Sequence, residues 1–188
     1  MPIEEATREK AYAAEKGIAG VRVAIIALNS LVYHFLLPKA GTIPWLAYAI
    51  IVSANAYGLF VLLARPYERY PVLASSLFTS VLDATFITLW LHATGGFESP
   101  FYLLWLVSVS AVAFRYGARE TLFAALLYGL CYVGLLAVDG GLWERPADVI
   151  LRLAYIGFVA CIGSLFAREA ASQTRAKVEL RDVAARLG

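Results

Sequence analysis

Few side chains in this 188-residue chain are of a type and placement that could do chemistry. Its only two histidines, His34 and His92, fall near the ends of two apolar runs, and one acidic residue, Asp83, falls in the middle of the run that ends at His92. If both runs cross a membrane in the same direction, the two imidazoles lie at similar depth. Two such rings on different helices could serve as axial ligands of a b-type haem. They could equally hydrogen-bond a quinone carbonyl, or snorkel to the interface as ordinary interfacial histidines.

Asp83 is the more demanding residue. A carboxylate at the centre of an apolar span costs about 2.5–3.5 kcal/mol on insertion scales. It must face the bundle or a dimer interface with a partner, or carry a proton. Ser76, Thr79 and Ser80 share its face at helical spacing, and Asn29 and Asn55 are candidate cross-helix partners. Two readings stay open, a polar clamp between helices and a proton-linked switch. Nine residues separate Asp83 from His92. At about 100° per residue the two point to opposite faces, with Thr85 and Thr88 on the His92 side.

A third cluster is the stretch Ala93-Thr94-Gly95-Gly96-Phe97-Glu98-Ser99-Pro100-Phe101-Tyr102. Its plain reading is a helix stop followed by a helix start. Gly95 and Gly96 suit a left-handed C-cap, Ser99 an N-cap, Pro100 the first helical position and Glu98 the positive end of the helix dipole. The functional reading uses the same geometry. Free backbone N–H groups at a helix start, beside Phe97, Phe101 and Tyr102, suit an amphipathic ligand with a polar carbonyl head.

These residues need elements to hold them. Six apolar runs do so, at 18–38, 43–64, 72–93, 100–115, 119–138 and 147–167, separated by Pro and Gly. The fourth is short and reaches spanning length only by including Phe97–Pro100 and Tyr116. Short loops make successive helices antiparallel neighbours, which predicts an all-α, polytopic up-down bundle. Hydrophobic residues make up 61% of the chain and charged residues 16%, with mean hydropathy +0.69, so too little polar surface exists to cover a soluble domain.

With the N-terminus inside, the inner segments hold Arg8, Lys10, Lys16, Arg22, Arg65, Arg69, Arg115, Arg119, Arg168, Arg175, Lys177, Arg181 and Arg186. That is 13 of the 16 basic residues, leaving Lys39, Arg145 and Arg152 outside. The bias places both termini on the cytoplasmic side of the membrane. Trp45, Trp90, Trp105 and Trp143 then form an outer aromatic belt, and Tyr67 and Tyr70 anchor the inner face. Residues 1–17 are charged, without the apolar core and cleavage site of a secretory leader.

Domain organisation follows as a cytoplasmic segment 1–17, a membrane domain 18–167 and a cytoplasmic helix 168–188. Ala176, Leu180, Val183 and Leu187 form a heptad-like seam, read as entry into a two-stranded coiled coil rather than a frayed amphipathic tail. No nucleotide-binding, hydrolase or metalloprotease motif is present, so catalysis is not expected of this chain, and no nucleic-acid motif accompanies its basic residues. Cys131 and Cys161 lie in apolar runs and read as inert filling.

Gly95-Gly96-x-x-Ser99-Pro100-Phe101, between the third and fourth of six helices, resembles the membrane input domain of bacterial sensor histidine kinases. RegB/PrrB-type redox sensors carry a similar GG…NPF element there, with Asn where this chain has Ser99, and PilS-type kinases have a similar six-helix input region. The resemblance implies a sensory input domain responding to a redox or hydrophobic ligand such as quinone. Gly95, Gly96, Ser99, Pro100 and Phe101 map onto the ligand element, and His92, Glu98 and Ser99 would separate quinone from quinol. It also implies a homodimer, an output kinase or cyclase domain in cis and a response regulator downstream. The alternatives are a haem sensor or electron carrier using His34 and His92, and a small transporter or scaffold.

Overall fold

The structure, a computed structural model, describes residues 2–36 and 41–187. The side chains of 2–16, 18, 67, 68, 71, 74, 175 and 177–187 lie outside that description. Among the described residues there is no strand. Six long helices run α1 Pro2–Phe35, α2 Pro44–Ala64, α3 Ser76–Ala93, α4 Leu104–Arg115, α5 Ala118–Val138 and α6 Pro146–Leu187.

Their boundaries follow from local chemistry. Pro44 and Pro146 occupy first-turn positions, where the missing N–H costs nothing. Ser75 starts α3 by accepting the Phe78 N–H at 3.3 Å. α2 stops at Arg65, held at φ 45°, because Pro66 disfavours continuation of the helix through the residue before it. Two short helical turns, Pro66–Arg69 and Pro71–Ala74, then lead into α3.

Four helices are long and apolar enough to cross a membrane. They are α2, α3, α5 and the Pro146–Thr174 part of α6, with mean hydropathies of 2.0, 1.2, 2.1 and 2.1. Ala19–Phe35 and Pro100–Arg115 are shorter apolar segments. The latter enters through a 3-10 turn, Pro100–Leu103, while Phe97 sits apart in the turn Gly96–Glu98 and does not lengthen that helix. Val52, Leu63, Leu126, Leu130, Phe158 and Leu165 stand exposed on the outer faces, a surface suited to lipid and not to water.

Packing divides the bundle in two. α6 lies along α4 and α5, α3 packs on α5 and α4, and their shared core holds Leu91, Trp105, Val109, Tyr128, Leu136 and Ile156. α1 instead packs along α2, and α2 leans on α3. Gly58 lets α1 and α2 approach closely, since a Cβ there would lie 2.9 Å from Val23 Cγ2. At the end carrying residues 94–103, Tyr33, Ala47, Ile50, Trp90, Ala93 and Phe101 form a second core. Toward the other end, Ala19 and Val61 form a small third core between α1 and α2.

Trp45 and Trp143 are exposed, whereas Trp90 and Trp105 are 5% and 0% exposed inside the bundle. The expected belt of four tryptophans therefore reduces to two, because the other two serve as core residues. Tyr70 is exposed, as an anchor requires, while the Tyr67 side chain lies outside the description. α6 is continuous over 42 residues, about 63 Å at 1.5 Å per residue, or twice the hydrocarbon thickness of a bilayer. The seam residues Leu180, Val183 and Leu187 lie on this helix with their side chains outside the described set.

Candidate functional site

A cleft of about 170 Å³ lies between the α1–α2 hairpin and the α3–α4 wall. Ile25, Ile50, Phe86 and Leu104 contribute to its apolar lining, with Arg22, Asp83, Ser30, Ser108 and Tyr57 as its ionisable and hydroxyl groups. Apolar cavities near 150 Å³ accept a benzene-sized guest, so one ring fits.

Its polar part is a relay with assignable donors. The Arg22 guanidinium donates to Asp83 Oδ2 at 2.9 Å, and Ser108 Oγ donates to the same oxygen at 3.1 Å. Ser108 spends its one proton on Asp83, so the Tyr128 hydroxyl, 2.9 Å away, donates to Ser108. Both ion-pair side chains are 19% exposed. The pair is neutral as a unit, which lets an apolar site carry it. At the other end of the cleft Trp90 has a buried indole N–H with no hydrogen-bond partner among the described residues. Trp90 packs on Tyr33 and Phe101, with ring centroids 5.4 and 5.2 Å apart.

Asn29 and Asn55, the cross-helix partners expected for Asp83, do not serve it. Asn29 donates to Ile25 O at 2.7 Å and Asn55 to Ile51 O at 2.8 Å, each on its own helix. A neutral amide finds an i−4 carbonyl at no cost, whereas the carboxylate takes the cation. Arg22, read from sequence as one more inner charge, is the partner that reading missed. The signal was present, since Arg22 lies just inside an apolar run and an intramembrane acid calls for a base. Thr85 and Thr88 likewise return their hydroxyls to Val81 O and Ala84 O.

The residues singled out around the glycine pair are gathered into a different arrangement. Gly95 and Gly96 have φ 113° and 57°, left-handed as expected. A Cβ on Gly96 would collide with the Asp139 carboxylate, which ends α5 and pairs with His92 Nδ1 at 3.0 Å. Ser99 caps the Pro100 turn by accepting the Phe101 N–H at 3.3 Å, and its hydroxyl meets Thr94 Oγ1 at 2.7 Å. Glu98 points outward to Arg145 at 2.8 Å.

Arg152, counted from sequence as an outer charge, ties this turn to α6. It donates to Phe97 O at 2.8 Å and Tyr132 OH at 2.9 Å, and lies 4.4 Å from the ring centroids of both Phe97 and Tyr102. The turn is thus tied by its own side chains to α5 and α6, and it reaches the cleft through Phe101, which packs on Trp90.

His34 and His92 are engaged on different helices. His34 Nδ1 meets the Tyr48 hydroxyl on α2 at 3.0 Å, while His92 faces Asp139 at the end of α5. Because α3 packs between α2 and α5, the two rings address different neighbours and share no partner in this arrangement. Cys131 is partly buried and Cys161 exposed on the apolar surface, and both are free thiols. No family model matches the chain, and no curated protein or solved structure matches it either.

Proposed function

We propose that this chain is the membrane-embedded sensory input domain of a bacterial two-component sensor histidine kinase, and that it responds to a hydrophobic ligand of the quinone class. In this reading it crosses the inner membrane six times, with Ala19–Phe35 and Pro100–Arg115 completing the spans. Both ends are cytoplasmic, and the chain acts as a homodimer joined to a kinase or cyclase output domain that signals to a response regulator.

The observation that carries the proposal is the cleft. It is apolar, sized for a ring and bordered by a neutralised ion pair, with Arg22 and Tyr57 as hydrogen-bond donors on its lining. A carbonyl oxygen is the acceptor such donors suit. Arg22, Tyr57 and Trp90 would orient a bound ring, with a tail leaving toward lipid. This moves the ligand inward from Gly95–Phe101, whose role becomes to position Trp90 through Phe101. The uninterrupted α6 supplies the second element of a sensor, a rigid rod able to carry a small tilt or rotation out of the bilayer.

The test is mass spectrometry of lipids retained by gently solubilised protein, with a visible spectrum of the same sample. A quinone retained by the wild type and lost in Ala111→Phe, which fills the cleft, supports the reading. A Soret band lost in His34→Ala and His92→Ala would instead indicate the haem alternative. Absence of any retained quinone, together with no response of α6 to added quinone analogues, would refute it.

A further inference from the structure

The two-part packing has a mechanical consequence. At the end carrying residues 94–103, α1 and α2 are fixed to the rest of the bundle by the Tyr33, Trp90 and Phe101 cluster and by the Ile43 N–H to Ala93 O bond at 2.8 Å. Toward the other end the hairpin's buried residues, Ala19 and Val61, pack between α1 and α2, and the apolar contact to α3 beside them is Tyr57 on Phe86, with ring centroids 6.4 Å apart. Between those two regions lies the cleft, and the Arg22–Asp83 ion pair crosses it. The connection from α2 to α3 is made of two short helical turns rather than a rigid rod.

We infer that the α1–α2 hairpin is a hinged arm, pivoting on the Tyr33–Trp90–Phe101 cluster and held closed by Arg22–Asp83 as a latch. Arg22 is 11 residues from Tyr33 along α1, a lever of about 16 Å at 1.5 Å per residue. A tilt of about 10° then moves Arg22 by about 3 Å, enough to part an ion pair that closes at 2.9 Å. Because α1 is one helix from Pro2 to Phe35, the same tilt moves its first turn by about 8 Å. The N-terminal extension is therefore a second lever out of the bundle, besides α6. The inference concerns the chain's own helices and stands whatever molecule the cleft takes.

Pulsed electron-electron spin resonance on the full chain in nanodiscs tests it, with Cys131→Ser and Cys161→Ser as background. One label pair, Ala24→Cys with Phe114→Cys, spans the latch side of the cleft. The other, Phe35→Cys with Leu103→Cys, sits at the pivot. The double variant Arg22→Gln/Asp83→Asn removes the latch without stranding a charge. The latch-side distance should lengthen or broaden by about 3 Å, the displacement worked above, while the pivot distance stays fixed. The exchanged pair Arg22→Asp/Asp83→Arg should restore the closed distance. An unchanged latch-side distance in the double variant, or equal changes at both ends, overturns the arm.

Discussion

Removing one charge of the Arg22–Asp83 pair should destabilise the bundle far more than removing both. The two side chains meet at 2.9 Å and each is 19% exposed. Stranding one buried charge costs about 3–5 kcal/mol, whereas replacing both by neutral groups of similar shape is about neutral. The singles should also differ. In Arg22→Gln the Asp83 carboxylate keeps the Ser108 hydroxyl at 3.1 Å, so the loss falls near the lower limit. In Asp83→Asn the guanidinium keeps its full charge and loses its carboxylate, so the loss falls higher. Arg22→Gln/Asp83→Asn should recover to within about 1 kcal/mol of the wild type, giving a coupling energy of about 3 kcal/mol or more. Reversible unfolding of the four proteins in mixed micelles, followed by circular dichroism, measures the cycle. Additivity of the two singles within about 0.5 kcal/mol would show that the charges do not interact, and the polar side of the cleft would be misassigned.

Three further outcomes follow from the same contacts. Arg152→Ala should cost about 2–4 kcal/mol in that unfolding assay, because it strands Phe97 O and Tyr132 OH and removes two cation–π contacts, and Arg152→Lys should recover only part of it. Gly96→Ala should destabilise by about 2 kcal/mol or more through left-handed strain and collision with Asp139, while Gly134→Ala in α5, where a Cβ meets nothing within 4 Å, should be neutral or stabilising. Trp90→Ala should cost about 3–5 kcal/mol in that unfolding assay and Trp90→Phe less, because the phenyl ring keeps part of the packing on Tyr33 and Phe101 but loses the volume of the indole's five-membered ring.

The membrane character of the chain and the breaks between its helices were legible because they depend on local composition. Pro44 and Pro146 start helices, and Gly95, Gly96 and Ser99 end and restart the chain where the sequence places them. What the sequence hid is pairing across helices. Arg22 and Asp83 lie 61 positions apart, and no periodicity along one helix says which neighbour will face a buried acid. Depth alone favoured Asn29 and Asn55, but neutral amides satisfy themselves on their own backbone and leave the acid to the cation. Trp90 and Trp105 misled in a similar way, since placement along a helix near the interface does not fix whether a ring faces lipid or core. The reading of His34 and His92 as one constellation relied on matched depth, while their partners Tyr48 and Asp139 belong to different neighbours.

If a ring-bearing ligand lies between the α1–α2 hairpin and the α3–α4 wall as proposed, a reactive ring must label the side chains around it. Photolabelling of the full chain in native membranes with an azidoquinone, followed by peptide mapping, tests it most directly. Adducts should fall within residues 25–30 of α1 and 82–90 of α3, the segments whose Ile25, Asn29, Asp83 and Phe86 line the cleft, and should be competed away by unlabelled quinone. Competable adducts confined to residues 95–101, or labelling that unlabelled quinone does not reduce, would contradict it.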